Sequence, residues 1–206
     1  MPSDTESGPK RRGRPRGFVP EEALEKMTPV FARNGFDAAS LDDLGAAAGL
    51  NRPSLYAAFG DKTELFIGAL RRYAERQTSD WISVLIRTEP IEERLTAVFR
   101  DAVAAYCAAP DRPGCLLRVI ATAAASGHPR IAAAASAARR RQDDMFEAAF
   151  ARCVAARELP GDPPPATRAR LAMAVLDTLS LRARLGEPPD DLTSFAQDSL
   201  ALVCRI

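Results

Sequence analysis

SLDDLGAAAGLNRPSLYAAFGDKTELF, residues 40–66, is the stretch of sequence that decides the fold. Ser40 is a favoured N-cap residue, and Gly49 can adopt the left-handed conformation that ends a helix. Asn51 and Pro53 then favour the start of a second short helix. Two short helices around a glycine-containing turn, followed directly by a third helix, are typical of a helix-turn-helix.

The second of these short helices has an inward face and an exposed polar face. Leu55 and Phe59 are four residues apart and point inward together, while Arg52, Ser54 and Tyr56 fall on other faces. An exposed helix with hydrogen-bonding groups near its N-terminus fits the major groove of DNA. An ordinary helical hairpin of a bundle is the alternative.

Cations are concentrated before the first predicted helix, with glycine and proline between them and no acidic residue among them. They are Lys10, Arg11, Arg12, Arg14 and Arg16. Such a composition cannot bury a core, so it predicts a flexible basic arm over residues 1–16 that lies along phosphates or enters a minor groove. A solubilising tail is the alternative.

The helix predicted before the helix-turn-helix, Pro20 to Asn34, contains an internal proline. Met27 and Phe31 keep an apolar stripe through it, so we expect the helix to continue with a kink at Pro29. The kink follows because proline cannot donate a hydrogen bond to the Glu25 carbonyl.

The third helix of the motif begins with a capping-box-like pair, Asp61 and Glu64. Lys62 lies in its first turn, where a cation opposes the helix dipole. We therefore expect a nearby anion to compensate the charge of Lys62.

The region from about Gly13 to Phe66 resembles the DNA-binding domain of the TetR family of bacterial transcriptional regulators. Three segments carry the resemblance, in order and with the family's spacing: GRPR at residues 13–16, NGFDAASLDDLGAAAGL at residues 34–50, and PSLYAAFGDKTELF at residues 53–66. The resemblance implies a symmetric dimer that binds double-stranded DNA through the helix-turn-helix.

The resemblance also implies roles for particular residues. Those implied to bond phosphates are Ser40, Tyr56 and Lys62, with Arg14 and Arg16 in the basic arm. Those implied to contact bases or backbone are Asn51, Arg52, Pro53 and Ser54. Arg52 is the candidate for direct readout because its guanidinium matches the two major-groove acceptors of guanine. A phosphate clamp is an equal alternative for Arg52.

Two positions depart from the family's pattern. Many relatives have glycine where this chain has Pro53, and histidine where it has Ala58. Any contact made by those side chains in relatives is absent here.

Composition is consistent with one sizeable core and a small N-terminal domain. The chain has 206 residues, 47% of them hydrophobic, and a net charge of only +1, so attraction to nucleic acid must be local. No signal peptide or apolar run of membrane length is present, which predicts a cytoplasmic protein.

We expect an all-α protein with three parts: a basic arm over residues 1–16, a three-helix DNA-binding domain over residues 17–66, and a helical ligand-binding and dimerisation domain over residues 67–206. A loop with two prolines is predicted at Ala109 to Gly114. The helices expected after the helix-turn-helix are Lys62 to Ile86, one starting after Pro90, Cys115 to Ser126, Ile131 to Arg157, Thr167 to Leu185, and Leu192 to Val203.

The helix predicted from Thr167 to Leu185 is apolar on nearly all sides. Such a helix must be covered on all sides, and a second copy of the molecule is the simplest cover. The family resemblance implies the same homodimer, with the last two helices forming an intersubunit four-helix bundle. Burial within the monomer is the alternative.

The residues that we expect to line an effector pocket are apolar or polarisable side chains of the C-terminal helices. They are Trp81, Phe99, Tyr106, Cys115, Arg118, Met145, Phe146 and Met173. Core packing is the alternative for each apolar member. The effector is an unknown small molecule, and its binding would release the DNA by shifting the population between two states.

No catalytic constellation, cofactor motif or metal-ligand spacing is evident. The single histidine, His128, lies at a helix break and is expected to be a loop residue. The four cysteines show no CxxC spacing and are expected to be free thiols. A helical enzyme or small-molecule-binding protein without DNA binding is therefore a weaker hypothesis than a regulator.

Cys115 supports one rival within the regulator class. It follows Pro113 and Gly114 at a predicted helix N-terminus, where a thiolate is favoured. The GCLL segment, residues 114–117, also resembles a segment in a TetR subgroup that includes sensors of electrophiles and oxidants. A regulator that senses oxidants or electrophiles is therefore an alternative to release by a noncovalent effector. Cys115 could instead be a small buried hydrophobic residue with a packing role only.

Overall fold

The computed structural model describes residues 18–109 and 114–204, and all regular structure in those ranges is helical. The expectation of an all-α protein is confirmed. The elements are α1 Pro20–Ala38, α2 Leu41–Ala48, α3 Arg52–Phe59, α4 Lys62–Leu85, α5 Ile91–Cys107, π1 Leu116–Ala121, α6 Thr122–Ala125, α7 Pro129–Ala155, α8 Pro165–Arg184 and α9 Pro189–Cys204. The basic arm and most of the loop predicted at Ala109 to Gly114 lie outside the described residues.

The helix starts of the DNA-binding unit are fixed by side-chain caps. Each of α2, α3 and α4 begins with a side-chain oxygen that accepts the N–H three residues later: Ser40 from Asp43 at 3.0 Å, Asn51 from Ser54 at 2.9 Å, and Asp61 from Glu64 at 2.8 Å. Gly49 ends α2 in the left-handed conformation, with a φ of 69°. These helix boundaries agree with the sequence-based prediction to within a residue.

The first helix is interrupted directly after its predicted end at Asn34. The non-helical residue within Pro20–Ala38 is Gly35, with a φ of 77°, and the backbone dihedrals stay helical through Pro29. The kink expected at Pro29 stays a prediction. Glycine tolerates this positive φ without the steric penalty of a side chain, so the chain bends there and Phe36 turns into the core.

A close backbone approach ends α2 and forms the turn toward α3. The Leu50 N–H donates to the Gly45 carbonyl at 2.8 Å, which caps the C-terminus of α2. A Cβ atom at Gly45 would lie 2.5 Å from the Leu50 carbonyl oxygen. Only glycine fits this position, and the sequence analysis missed its role.

A continuous helix joins the DNA-binding unit to the rest of the protein. α4 starts in the helix-turn-helix and runs on to Leu85, so the boundary predicted after Phe66 falls inside it. It packs on α1, α5 and α7, and it also contacts α3. A displacement of α4 would therefore be transmitted to α3.

The predicted helix from Cys115 to Ser126 consists of two segments. Its first half, π1, is a π-helix, and a short α-helix follows. Its start is docked on α8, because the Cys115 N–H donates to the Ser180 hydroxyl at 2.8 Å and Gly114 approaches the Ser180 carbonyl too closely for a side chain. π-Helical turns are frequent at functional sites.

The prediction that α8 is apolar on nearly all sides is wrong. Its inner face is buried, but it also carries the buried Arg168 and the exposed Arg170 and Arg184. Arg168 donates to the carbonyls of Pro163 at 3.1 Å and Val203 at 2.7 Å, and so links the start of α8 to the end of α9.

A row of exposed small and apolar residues nevertheless runs along the outer face of α8. It consists of Leu171, Ala174, Leu181 and Leu185, with the partly exposed Thr178 between them. Spacings of three and four residues keep these side chains on one face, as in a helix that packs against a partner. None of the described helices is both long enough and apolar enough to span a bilayer.

We predict that Gly45→Ala destabilises the protein by about 1–3 kcal/mol, because the added methyl group would clash with backbone rather than with a movable side chain. The midpoint of chemical denaturation, followed by circular dichroism, measures the effect.

Gly127→Ala is the matched control, since a Cβ atom there meets no atom within 4 Å. It should change stability by less than about 1 kcal/mol. Equal midpoints for the two variants would contradict the assigned role of Gly45.

Candidate functional site

The outer face of α3 presents hydrogen-bonding groups to solvent. Asn51, Arg52, Pro53 and Tyr56 are exposed, Tyr56 to 53%, and Ser54 is half-buried. Leu55 is buried beneath them, as the sequence predicted. The structure thus brings the predicted DNA-contacting residues of α3 onto one surface.

Arg52 does not extend freely from this surface. Its Nε donates to Asp42 Oδ1 at 2.6 Å and its Nη2 donates to Asp42 Oδ2 at 2.5 Å. These hydrogen bonds lower the pKa of Asp42 and raise that of Arg52, so both groups are ionised at neutral pH. Asp42 was not identified from the sequence, because a pair ten residues apart on different helices has no local signature.

The anion expected near Lys62 is Asp37, whose charge stabilises the ammonium group. The Nζ of Lys62 donates to the backbone carbonyl of Asp37 at 2.9 Å and lies 4.9 Å from the centre of the Phe36 ring. A carbonyl dipole and an aromatic face thus add to the effect of the anion. Partial burial lowers the pKa of Lys62, although the charge of Asp37 opposes that shift.

The side-chain hydroxyl of Ser40 acts both as a hydrogen-bond acceptor and as a donor. Its oxygen accepts the Asp43 N–H, and its hydroxyl donates to Asp43 Oδ2 at 2.7 Å. A phosphate contact by the hydroxyl of Ser40 would replace the bond to the carboxylate. Arg14 and Arg16, predicted to contact DNA from the arm, lie outside the described residues.

A polar contact joins the start of α7 to the DNA-binding unit. His128 Nε2 lies 3.1 Å from Asp37 Oδ1, and its ring stands edge-on to Phe36 with 4.5 Å between ring centres. Arg130 pairs with Asp61 at 3.4 Å and also with Glu64. His128, expected to be an ordinary loop residue, therefore lies between the two parts of the protein.

The buried centre of the second part is organised by Arg118. Its guanidinium donates to Gln142 at 3.0 Å and to the Met173 sulfur at 3.5 Å, and lies 5.2 Å from the Trp81 ring. Its Nε is 3.1 Å from Asp177. Asp177 is shared, because Arg139 binds both of its oxygens at 2.7 Å. Two cations therefore surround one carboxylate.

Cys115 lies beside this arginine. The Tyr73 hydroxyl is 3.4 Å and Arg118 Nη1 is 3.8 Å from its sulfur. Burial raises the pKa of Tyr73, so its hydroxyl stays protonated and can act as a donor. The sulfur is thus close to two hydrogen-bond donors, one of them cationic.

The structure brings together most of the residues predicted to bind an effector, and separates others. Trp81, Tyr106, Cys115, Arg118 and Met173 surround the buried cluster, and Phe146 packs against Trp81 with 5.8 Å between ring centres. Phe99 instead lines a groove between α5 and α9, with Thr96 and Leu200. Met145 is half-buried against the core.

A groove between α4 and α5 opens onto the buried cluster. It encloses about 320 Å³ and is lined by side chains of both helices, namely Tyr73, Arg76, Gln77, Asp80, Trp81, Asp101, Ala102 and Ala105. Gln77 connects it with the interior, because its side-chain oxygen accepts from Gln142 at 3.0 Å and from Arg118 at 3.4 Å. The sequence analysis missed Gln77, Gln142 and Asp177, since isolated polar residues on amphipathic helices carry no motif.

Within the described residues, no three histidine, cysteine or acidic side chains are grouped so that they could hold a metal ion. The groups that α3 presents act by hydrogen bonding and charge, on an exposed surface.

Comparison with known proteins shows which family has this arrangement of helices. Residues 28–69, which contain the helix-turn-helix, match the family described as bacterial regulatory proteins, tetR family. A cysteine mutant of the TetR family transcriptional regulator CifR, solved with a 26-base-pair double-strand operator DNA, is 30% identical, with a TM-score of 0.81 over 91% of this chain and 98% of that chain. This chain belongs to the TetR family of DNA-binding transcriptional regulators.

Two relatives from Escherichia coli (strain K12) are also similar. The HTH-type transcriptional repressor ComR is 29% identical over 194 residues, which is 94% of this chain and 92% of ComR. The HTH-type transcriptional repressor BdcR is 36% identical over 105 residues, or 51% of this chain, and the match spans about half (53%) of BdcR. These relatives are regulators rather than enzymes, which argues against the enzyme hypothesis.

The four thiols should differ in reactivity toward N-ethylmaleimide at neutral pH. Cys107 is partly exposed, whereas Cys115, Cys153 and Cys204 are buried. Burial also raises the pKa of Cys153, and raises that of Cys204 to about 11, so these two thiols are mostly protonated at neutral pH. We predict that Cys107 is labelled first, as measured by mass spectrometry over time.

Labelling in denaturant is the control, since all four thiols should then react at similar rates. If Cys115 were labelled faster than Cys107 in the folded protein, the closed packing around its sulfur would be contradicted.

Proposed function

We propose that this protein is a homodimeric transcriptional repressor that binds a palindromic operator and is released from it by a small-molecule effector. The observation that carries the proposal is the exposed face of α3, held by capped helices on a protein of the TetR family. Repression is supported by ComR and BdcR, which are both named repressors. Such a protein acts in the cytoplasm, where bacterial DNA lies.

α3 acts as the reading helix in this proposal. Its N-terminal residues Asn51 to Ser54 face the base edges, while Tyr56 and Lys62 bond phosphates on either side. In this structure the Nζ of Lys62 donates to the Asp37 carbonyl and not to a phosphate. We infer that Lys62 exchanges this carbonyl for a phosphate when DNA binds.

The DNA-binding face of the described residues has few cations to attract a polyanion. Asp42, Asp43 and Asp61 lie near it, together with Arg52 and Lys62. We therefore assign much of the nonspecific attraction to the five cations of residues 10–16.

Dimerisation is supported by the outer row of α8. Leu181 and Leu185 are 53% and 78% exposed, and Leu202 on the neighbouring α9 is 58% exposed. Leu181 and Leu185 lie at the end of α8, whereas Leu202, at the end of α9, lies beside the start of α8. Large exposed apolar side chains therefore occur at both ends of this helix pair, which favours a partner surface along it. A twofold axis through this surface would relate two copies of α3 by symmetry, as the two half-sites of a palindrome require.

The effector site that we propose is the groove between α4 and α5, together with the cluster behind it. A ligand that reaches Gln77 or Trp81 would disturb the bonds of Arg118, and both residues belong to α4. α4 also carries Asp61 and Lys62 at its other end, where α7 contacts it through Arg130. This continuity offers a route by which a ligand could move the reading helices.

A second candidate mechanism is release through modification of Cys115. It is supported by the contacts of the Cys115 sulfur, which lies 3.4 Å from the Tyr73 hydroxyl and 3.8 Å from Arg118 Nη1. Burial opposes this mechanism. An electrophile that labels Cys115 and lowers operator affinity, with no loss of affinity in Cys115→Ser, would support it over noncovalent release.

We predict that Leu181→Glu separates the dimer and abolishes operator binding, because it buries a charge in the proposed interface. Sedimentation velocity gives the mass, and gel shift with an operator chosen by in-vitro selection gives the affinity.

Ile82→Glu is the matched control, since Ile82 is 41% exposed on α4, outside the α8 and α9 surface. It should remain dimeric and bind DNA. A dimeric Leu181→Glu variant with normal affinity would refute the proposed interface.

We predict that Lys62→Ala weakens binding to every DNA sequence by roughly tenfold and lowers the slope of log affinity against log salt by about 0.9, the value for one lost phosphate contact. Tyr56→Phe should weaken binding without changing the slope. Fluorescence anisotropy at several salt concentrations measures both quantities.

Arg100→Ala removes the same charge from an exposed position on α5 and serves as the control. Deleting residues 1–16 should reduce the slope more than Lys62→Ala, because five cations are lost. An unchanged slope in Lys62→Ala would show that Lys62 keeps its bond to Asp37 on DNA.

A further inference from the structure

The paired side chains of Arg52 and Asp42 connect the two helices of the helix-turn-helix. Asp42 lies in the first turn of α2, and Arg52 is the first residue of α3. Two short hydrogen bonds join them, from Nε at 2.6 Å and from Nη2 at 2.5 Å. Both side chains remain exposed, Arg52 to 57% and Asp42 to 69%, so the pair lies on the surface rather than in the core.

The pair occupies only one edge of the guanidinium group. Arginine has five N–H donors in a planar fork, and the edge formed by Nε and Nη2 is used by the carboxylate. The adjacent edge, formed by Nη1 and Nη2, still has two parallel N–H groups. This is the edge that can donate to both O6 and N7 of guanine in the major groove.

The charges of the pair favour base reading over phosphate binding. Asp42 offsets part of the attraction between Arg52 and a phosphate, and its own carboxylate repels phosphates. It also holds a long flexible side chain in one orientation before DNA arrives, which lowers the entropy lost on binding. A guanidinium group held beside a carboxylate is a weaker phosphate clamp and has a more defined orientation toward a base.

We propose that Asp42 is a specificity-determining residue that positions Arg52 to read one guanine in each operator half-site. This inference rests on the proposed function, since it requires sequence-specific operator binding. It resolves the two roles of Arg52 left open by the sequence in favour of direct readout. Asp42 itself contacts no base in this arrangement and acts through Arg52.

The neighbouring Asp43 provides a matched control. It lies in the same turn of α2 and carries the same charge, but its carboxylate accepts from the Ser40 hydroxyl at 2.7 Å and has no bond to Arg52. Asp43→Asn and Asp42→Asn therefore remove the same charge from the same region. Only Asp42→Asn releases the guanidinium.

The test is in-vitro selection from a random DNA pool, followed by affinity measurements on the selected operator, on the operator with the guanine replaced, and on unrelated DNA. The variants are Asp42→Asn, Asp43→Asn, Arg52→Ala and Arg52→Lys, each checked for dimeric state and thermal unfolding. The wild-type protein should select a palindrome with one guanine per half-site that depends on Arg52. Arg52→Ala should lower the preference for that guanine by roughly tenfold.

Asp42→Asn should lose most of this preference while binding unrelated DNA as well as, or better than, the wild-type protein, because a negative charge is removed. Asp43→Asn should show the same gain on unrelated DNA and keep the guanine preference. Arg52→Lys should lose the preference, since an ammonium group lacks the fork.

The inference is overturned if Asp42→Asn keeps the full guanine preference, or if it strengthens binding to all sequences by the same factor as Asp43→Asn with no change in preference. It is also overturned if Arg52→Ala leaves every position of the selected operator unchanged. A wild-type protein that selects no sequence at all would instead contradict the proposed function, so the two failures are distinguishable.

Discussion

Phe36 is the residue on which the placement of the DNA-binding unit depends. Its ring packs edge-on against Phe66 of α4, with 5.2 Å between ring centres, and against His128 at the start of α7, with 4.5 Å. Lys62 lies over the same ring. One buried aromatic side chain thus contacts both parts of the protein and Lys62, the lysine proposed to bind a phosphate. Gly35 allows the chain to turn this side chain inward.

The second part of the protein depends on a different interaction, the burial of arginine. Arg118 and Arg94 are both nearly inaccessible, and each pairs with a carboxylate at its edge, Asp177 and Glu158 respectively. Buried charges are costly unless they are fully bonded, so a structure that depends on such pairs is sensitive to anything that removes a partner. A ligand entering beside Trp81 would act on Arg118 in this way, and the cost of its lost bonds could favour a different arrangement of α4.

Much of the DNA-binding unit could be predicted from the sequence, because its determinants are local. Caps act over three residues, and the glycine that ends α2 acts on its own backbone. The missed features were those that depend on how the chain packs in three dimensions. Asp42 meets Arg52 only after α2 and α3 have packed, Gly45 matters because the Leu50 carbonyl approaches it, and His128 meets Phe36 from more than 90 residues away in the sequence. The buried network around Arg118 joins α4, π1, α7 and α8, and no pattern within one helix reveals it.

The central claim is that two copies of α3 enter the major groove of one duplex, with Arg52 directed at the bases. A crystal structure of the protein with its selected operator tests it most directly. The account predicts a dimer paired through α8 and α9, with the N-terminus of α3 in successive major grooves and Arg52 bonded at once to Asp42 and to a guanine. A complex in which α3 lies outside the groove, or in which α8 faces solvent in a monomer, would contradict it.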